Sequence, residues 1–155
     1  MSGSLEDIRK QIGERWAELE AQLASAPTSH MDEGGVVRPW SVKDVVGHIT
    51  TWEREVITSV SNYIARRDTA SLEWKTDLDG FNSRAVEHTR PQTLDELMAE
   101  LVRTHEELLA FVAGLPEGDL STDGVSNRIR EGTFDHYAEH TASIRQWLDA
   151  EAGPS

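Results

Sequence analysis

Apolar residues recur at every third or fourth position along most of the chain, and this spacing places them on one face of an α-helix. In the first segment, charged and polar residues fill the positions between them. The apolar positions of that segment are Leu5, Ile8, Ile12, Trp16, Leu19 and Leu23. No stretch alternates apolar and polar residues convincingly enough to indicate a half-buried strand. The chain is therefore predicted to be all-α.

Signals for helix ends define the first two helices. The first is expected to end near Pro27, because the Gly, Pro and Ser content of residues 27–39 is typical of a loop. The second opens at Ser41, where Ser41 and Asp44 resemble a capping box. Its apolar stripe predicts a helix that runs to about Arg66.

Two further long helices follow. Thr93 and Glu96 form a clear capping-box pattern, which predicts the start of a third long helix. The last helix is expected over residues 126–150, with Gly132 inside it at a cost of about 1 kcal/mol relative to alanine. Between the second and third long helices, residues 81–88 are predicted to form a short helix.

Four amphipathic helices of this length predict a four-helix bundle. The 155 residues are enough for one domain with a real core, so residues 1–155 are interpreted as a single domain. The connections after the first helix and between the second and third are long for a simple up-down bundle. They predict a crossover connection or a loop that forms part of a site.

Charge and cysteine content argue against several classes of function. The net charge of −13 argues against nucleic-acid binding and anionic membranes, since binding to phosphates depends on clustered Lys and Arg. The chain has no cysteine, so any thiol chemistry would need a thiol from a bound molecule. No apolar run approaches the roughly 20 residues of a membrane-spanning helix, and a cytoplasmic location is expected.

Three histidines form a candidate metal site. His136 and His140 are four residues apart, which places both on one face of the last helix, where two imidazoles can reach one ion. His48 lies at the border of the buried face of the second helix, and bundles build metal sites from facing helices. Three neutral imidazoles with an open position are typical of a catalytic site. The alternatives are an ordinary surface or core pair, and a His48 that only packs against Trp52.

Two other residues of this region have competing interpretations. HYAEH matches the HxxEH pattern of inverted zinc proteases, with Glu139 as general base. Such enzymes use a further acidic ligand well downstream and contain sheet elements, so the match is interpreted as accidental and Glu139 as a solvated carboxylate. His105 lies on the apolar stripe of the third long helix and is interpreted as a core histidine, with ligand and base as alternatives.

The chain resembles the DinB-like superfamily, in particular its ClbS/DfsB-like branch. The resemblance is carried by PWSVKDVVGHITTWE (39–53) and HYAEHTASIRQW (136–147), with further support from DGFNSRAV (79–86). It covers roughly residues 5 to 150, and the first motif together with the terminal HxxxH is its specific part. The resemblance implies a four-helix bundle and a homodimer.

The same resemblance implies a metal and a chemistry. Many members bind a divalent metal through one histidine on the second helix and two on the fourth, which are His48, His136 and His140 here. Zinc and nickel both occur. Characterised members include transferases and isomerases that use low-molecular-weight thiols, and ClbS-type proteins that protect against a genotoxic metabolite.

The resulting prediction is a metal-dependent transferase that joins a low-molecular-weight thiol to an electrophilic small molecule, in detoxification or stress. Trp40 and Trp52 are the candidate walls of its pocket, and Asn82 and Arg84 are candidate substrate contacts. One alternative is a ClbS-like protein that binds or hydrolyses a reactive metabolite without needing the metal. The other is a non-catalytic helical interaction domain.

Overall fold

The computed structural model describes residues 4–37, 39–73 and 77–152. Their secondary structure is helical apart from an isolated bridge between Val37 and Trp40. The α-helices in chain order are α1 (Leu5–Ser25), α2 (Val42–Arg66), α3 (Leu78–Thr89), α4 (Leu94–Ala113), α5 (Glu117–Leu120), α6 (Asp123–Gly132) and α7 (Phe134–Ala152). Short 3₁₀ helices lie at Thr28–His30 and Thr69–Leu72. The prediction of an all-α fold is confirmed.

The four long helices pack as a bundle. Helix α2 lies against α4, and α1 lies against α7, while α1–α4 and α2–α7 contacts close the bundle. The two short helices α3 and α6 both pack against α2. The placement of α3 explains the long connection between α2 and α4, because that connection contains a helix that covers part of α2.

Side-chain caps begin three of the long helices as the sequence requires. Complete capping boxes join Ser41 to Asp44 at the start of α2 and Thr93 to Glu96 at the start of α4, which confirms both predicted helix starts. A third capping box begins α1 at Ser4. Each box pairs two backbone N–H groups that the helix itself cannot satisfy.

The prediction of one continuous helix over residues 126–150 is wrong. The chain breaks at Thr133, whose backbone angles (φ −125°, ψ −98°) are not helical, and α6 and α7 lie on either side of it. Gly132 is responsible for the close approach here, because a Cβ at this position would lie 2.2 Å from Cγ2 of Val56. The break sets the direction of α7 separately from that of α6.

Helix α3 is longer than predicted and is lightly buried. It begins at Leu78 rather than at Phe81 and ends at Thr89, and Val86 is its buried residue. Among the described residues, no helix is long and apolar enough to cross a membrane.

Candidate metal centre

Three buried histidines converge at one point between α2 and α7. Nε2 of His136 lies 2.9 Å from Nε2 of His48 and 2.9 Å from Nε2 of His140. His48 projects from the second turn of α2, and the other two lie one turn apart on α7, as their spacing predicted. Helix packing therefore brings together three side chains that are up to 92 positions apart in sequence (140 minus 48).

Burial keeps these imidazoles neutral. Desolvation lowers the pKa of His48 to about 3, with a smaller contribution from His140, and it lowers the pKa of His140 to about 4. The pKa of His136 is also well below its usual value, first through desolvation and then through its two neighbours. A neutral imidazole is the form that binds a metal ion, so the three rings are ready as ligands at neutral pH.

The donor set fits a divalent transition-metal ion. Three imidazole nitrogens lie within 4.8 Å of one another. Imidazole suits zinc and nickel alike, so the donors do not distinguish between the two. The Nδ1 atoms of all three rings are buried and have no hydrogen-bond partner among the described residues. The orientation of these rings therefore depends on packing rather than on the second hydrogen bond that supports most metal-binding histidines.

A cavity of about 590 Å³ opens beside the three histidines. Trp40 forms one wall, with its ring 4.8 Å from the His48 ring, and Trp52 forms another. Nε1 of Trp52 donates a hydrogen bond to Oδ1 of Asn82 at 2.8 Å, which holds the indole against α3. Three of the four predicted substrate contacts thus line this cavity, and their role in binding stays a prediction.

Arg84, the fourth predicted contact, lies elsewhere. It lines a second cavity of about 500 Å³ between α2, α3 and α4, and its Nη1 atom lies 3.9 Å from Oδ2 of Asp77. The two cavities lie on different faces of α3. Asn82 and Arg84 are two positions apart on this helix, so their side chains point in directions about 200° apart.

Glu139 lies at the mouth of the cavity beside the histidines. It is exposed and lines the same cavity as His136 and His140. The all-helical surroundings support the interpretation that the protease-like pattern is accidental, since the described residues contain no sheet.

A second buried polar cluster lies on the other side of the same helices. Oε2 of Glu53 accepts a hydrogen bond from the Tyr137 hydroxyl at 2.6 Å and lies 2.8 Å from Nδ1 of His105. The indole of Trp16 stacks on the His105 ring at 3.6 Å. His105 is thus buried in the core, as interpreted from its position. The sequence analysis did not single out Glu53, although its position four residues after Ile49 and three before Val56 placed it on the buried face of α2.

Arg128 is a further buried polar residue that the sequence analysis missed. It is 3 % exposed, its Nη2 atom donates to Oγ of Ser59 at 2.9 Å, and its guanidinium lies 5.7 Å from the centre of the Trp52 ring. Desolvation lowers the pKa of this guanidinium. Arg128 therefore packs behind Trp52, on the side of the indole that supports the cavity wall.

Comparisons with known proteins agree with this architecture. A sequence model of the DinB superfamily matches residues 11–143. No curated protein matches the sequence.

Three solved structures share the fold over nearly the whole chain. An uncharacterised protein from Escherichia coli UTI89 is 17 % identical with a TM-score of 0.81, covering 96 % of this chain and 95 % of that one. The sibling lethal factor precursor DfsB is 18 % identical with a TM-score of 0.83, covering 97 % and 98 %. The colibactin self-resistance protein ClbS, in a complex with double-stranded DNA, is 14 % identical with a TM-score of 0.80, covering 96 % and 98 %. At these identities the similarity shows a common fold.

Proposed function

The chain belongs to the DinB superfamily, and from this premise we propose that it is a divalent-metal-dependent transferase that joins a low-molecular-weight thiol to an electrophilic small molecule. The observation that carries the proposal is the convergence of three neutral imidazole nitrogens beside an open cavity. A purely structural zinc site takes four protein ligands, whereas a three-ligand site leaves a position for a reactant.

His48, His136 and His140 would hold the ion. When bound, a zinc or nickel ion lowers the pKa of a thiol or water at its open position, which supplies a nucleophile at neutral pH. The reaction forms a carbon–sulfur bond, releases the thiol proton to solvent and displaces the leaving group of the electrophile where it has one. Because the chain has no cysteine, the sulfur must come from the second substrate.

The remaining residues of the cavity position the reactants. Trp40 and Trp52 provide apolar walls that exclude water from the space next to the histidines. The hydrogen bond from Trp52 to Asn82 fixes one wall, and Arg128 supports it from behind. These contacts support a cavity that is formed before the substrate binds, which lowers the cost of ordering on binding.

The ClbS structure contains double-stranded DNA, but we do not propose DNA binding for this chain. The net charge of −13 repels a polyanion, and DNA affinity rises with the number of phosphates that Lys and Arg neutralise. The chemistry of the three histidines also requires a small molecule that fits the cavity beside them.

The proposal is tested by elemental analysis combined with a rate measurement. The purified wild type is expected to hold about one zinc or nickel ion per three-histidine site, and the His48→Ala and His140→Ala variants should lose it. His88→Ala is the matched control, because His88 is exposed on α3 and contacts the other cavity. With a thiol and an electrophile added, the wild type should show a rate that disappears with the metal.

The same experiment separates the alternatives. A wild type without stoichiometric metal would contradict the proposal and favour a helical interaction domain. Protection against a reactive metabolite that persists in the metal-free His136→Ala variant would favour a ClbS-like protective role instead.

A further inference from the structure

The charged side chains in the described lining of the cavity beside the histidines are acidic. Its described lining contains the carboxylates of Asp79, Glu131 and Glu139, and no lysine or arginine. The second cavity, on the other face of α3, is different, because Arg54 and Arg84 line it together with Glu100. The acidic lining is therefore a property of this cavity and not of every concave surface of the chain.

From this arrangement we propose that the thiol substrate is an aminothiol, a small thiol whose far end is a protonated amine. The inference rests on the proposed thiol transferase function and names the class of thiol. A carboxylate-bearing thiol would meet only like charges in the described lining, whereas an ammonium group would meet opposite ones.

The aromatic walls are compatible with this charge. Trp40 and Trp52 both border the cavity, and the guanidinium of Arg128 lies 5.7 Å from the centre of the Trp52 ring, so this indole already lies next to a cation. The charge preference inferred for the cavity therefore rests on its carboxylates.

The three carboxylates at the rim of the cavity differ in how far a neighbouring positive charge neutralises them. Glu131 lies 3.5 Å from a guanidinium nitrogen of Arg130, which partly neutralises it. Asp79 and Glu139 are exposed, one on α3 and the other on α7 between two of the histidines. The sulfur end of an aminothiol would then point to the histidines and its amine to the rim, where Asp79 and Glu139 are the available carboxylates.

Two probe thiols with the same two-carbon spacer and opposite charge test the inference. Cysteamine carries an ammonium group and 3-mercaptopropionate carries a carboxylate, and calorimetry on the zinc-loaded full-length protein measures the Kd of each. The ratio of the two Kd values is compared with that of a triple variant without the rim charges, Asp79→Asn/Glu131→Gln/Glu139→Gln. A control variant removes as many exposed carboxylates outside the cavity, Glu106→Gln/Glu107→Gln/Asp149→Asn.

We expect the rim variant to reduce the preference for cysteamine about fivefold to tenfold, since exposed charge pairs are worth up to about 1 kcal/mol each. The control variant should change the ratio less than about twofold, because its charges are distant and screened. Comparing variants removes the intrinsic difference between the two thiols from the result.

Each outcome decides the inference. A wild type that binds zinc but gives the same ratio as the rim variant would overturn the aminothiol class and leave the metal-dependent function standing. Tighter binding of 3-mercaptopropionate that is lost in Arg38→Gln would also overturn it, and would assign the selectivity to Arg38, which lies outside the described residues. Failure of the wild type to bind zinc would overturn the proposed function together with the inference.

Discussion

Helices α2 and α7 carry two buried polar clusters that differ in how their members are paired. In the first, His48, His136 and His140 present three like groups to one another beside an open cavity. The second combines an acid, a phenol and an imidazole inside the core.

Adjacent residues on each helix face the cavity and the core. Tyr137 directly follows His136, and Glu53 directly follows Trp52, which lines the cavity, so each helix sends one side chain to the cavity and the next into the core. Neighbours on a helix point about 100° apart, which makes this division a direct result of helical geometry. Burial alone therefore does not distinguish a candidate site from a structural network, whereas the pairing of the buried groups does.

In the acid cluster, Oε2 of Glu53 links α2 to Tyr137 and His105, whereas Oε1 is buried and has no hydrogen-bond partner among the described residues. The Glu53 carboxylate is fully buried and accepts from Tyr137, and burial next to this carboxylate raises the pKa of the Tyr137 hydroxyl well above its usual value. The histidine cluster contains only imidazoles, which contact one another through Nε2, while each Nδ1 atom is buried without a hydrogen-bond partner among the described residues. We expect binding of an ion to offset the cost of this burial.

The largest effect is expected from a variant that disrupts the acid cluster of Glu53, Tyr137 and His105. Glu53→Ala should lower the free energy of unfolding by about 3–5 kcal/mol, since it leaves His105 and the Tyr137 hydroxyl without their buried partner. Glu107→Ala, exposed on α4, should change it by less than about 0.5 kcal/mol. Urea unfolding measures both.

A milder change separates stability from metal binding. Glu53→Gln keeps the shape and part of the hydrogen bonding, and it should fold with the metal content of the wild type. Loss of metal from a folded Glu53→Gln protein would show that the two clusters act as one unit. It would contradict the assignment of stability to one cluster and metal binding to the other.

The next effect concerns the histidine cluster. Zinc at about 100 times its Kd should stabilise the wild type by about 2.7 kcal/mol, which raises Tm by about 5–10 °C. His140→Ala should abolish this increase because it removes one of the three ligands, while His88→Ala should retain it. Thermal unfolding with and without zinc gives the result, and an undiminished increase in His140→Ala would place the zinc elsewhere.

Local signals in the sequence were enough to predict most of the fold. The apolar spacing and the capping boxes at Ser41 and Thr93 predicted where α2 and α4 begin, because a cap depends on residues within one turn. The break at Thr133 was not predictable in the same way. It depends on contact between Gly132 and Val56, which are 76 positions apart (132 minus 56) and meet only after folding.

The candidate site also combines features that local sequence patterns predict with features that depend on packing. The spacing of His136 and His140 is local and predicted their common face. The position of His48 at the border of the buried face of α2 made it the third candidate, and the family resemblance implied the same residue. The position of Arg84 in a different cavity follows from how α3 rotates against α2, which no local pattern contains. Glu53 belongs to a network with partners on two other helices, so its importance became visible only with the packing.

The last effect is a dependence of stability on pH that the histidine cluster should add to the metal-free protein. The pKa values of His48 and His140 fall from an ordinary value of 6.5 to about 3 and about 4 on folding. Below pH 6.5 the unfolded chain therefore binds protons at these residues that the folded protein does not, and stability falls as the pH is lowered. The effect fades as the pH rises through 6.5 and vanishes about one unit above it, where both states are neutral at these positions.

Each such histidine contributes a slope of up to about 1.4 kcal/mol per pH unit between pH 6 and 4. His140→Ala should reduce the total slope by about that amount, and His88→Ala should leave it within error. Urea unfolding at several pH values in the presence of a chelator measures these slopes. An unchanged slope in His140→Ala would mean that this imidazole is solvated in the metal-free protein. The contrast between a cluster of buried neutral imidazoles and a cluster of hydrogen-bonded acid, phenol and imidazole groups would then be wrong.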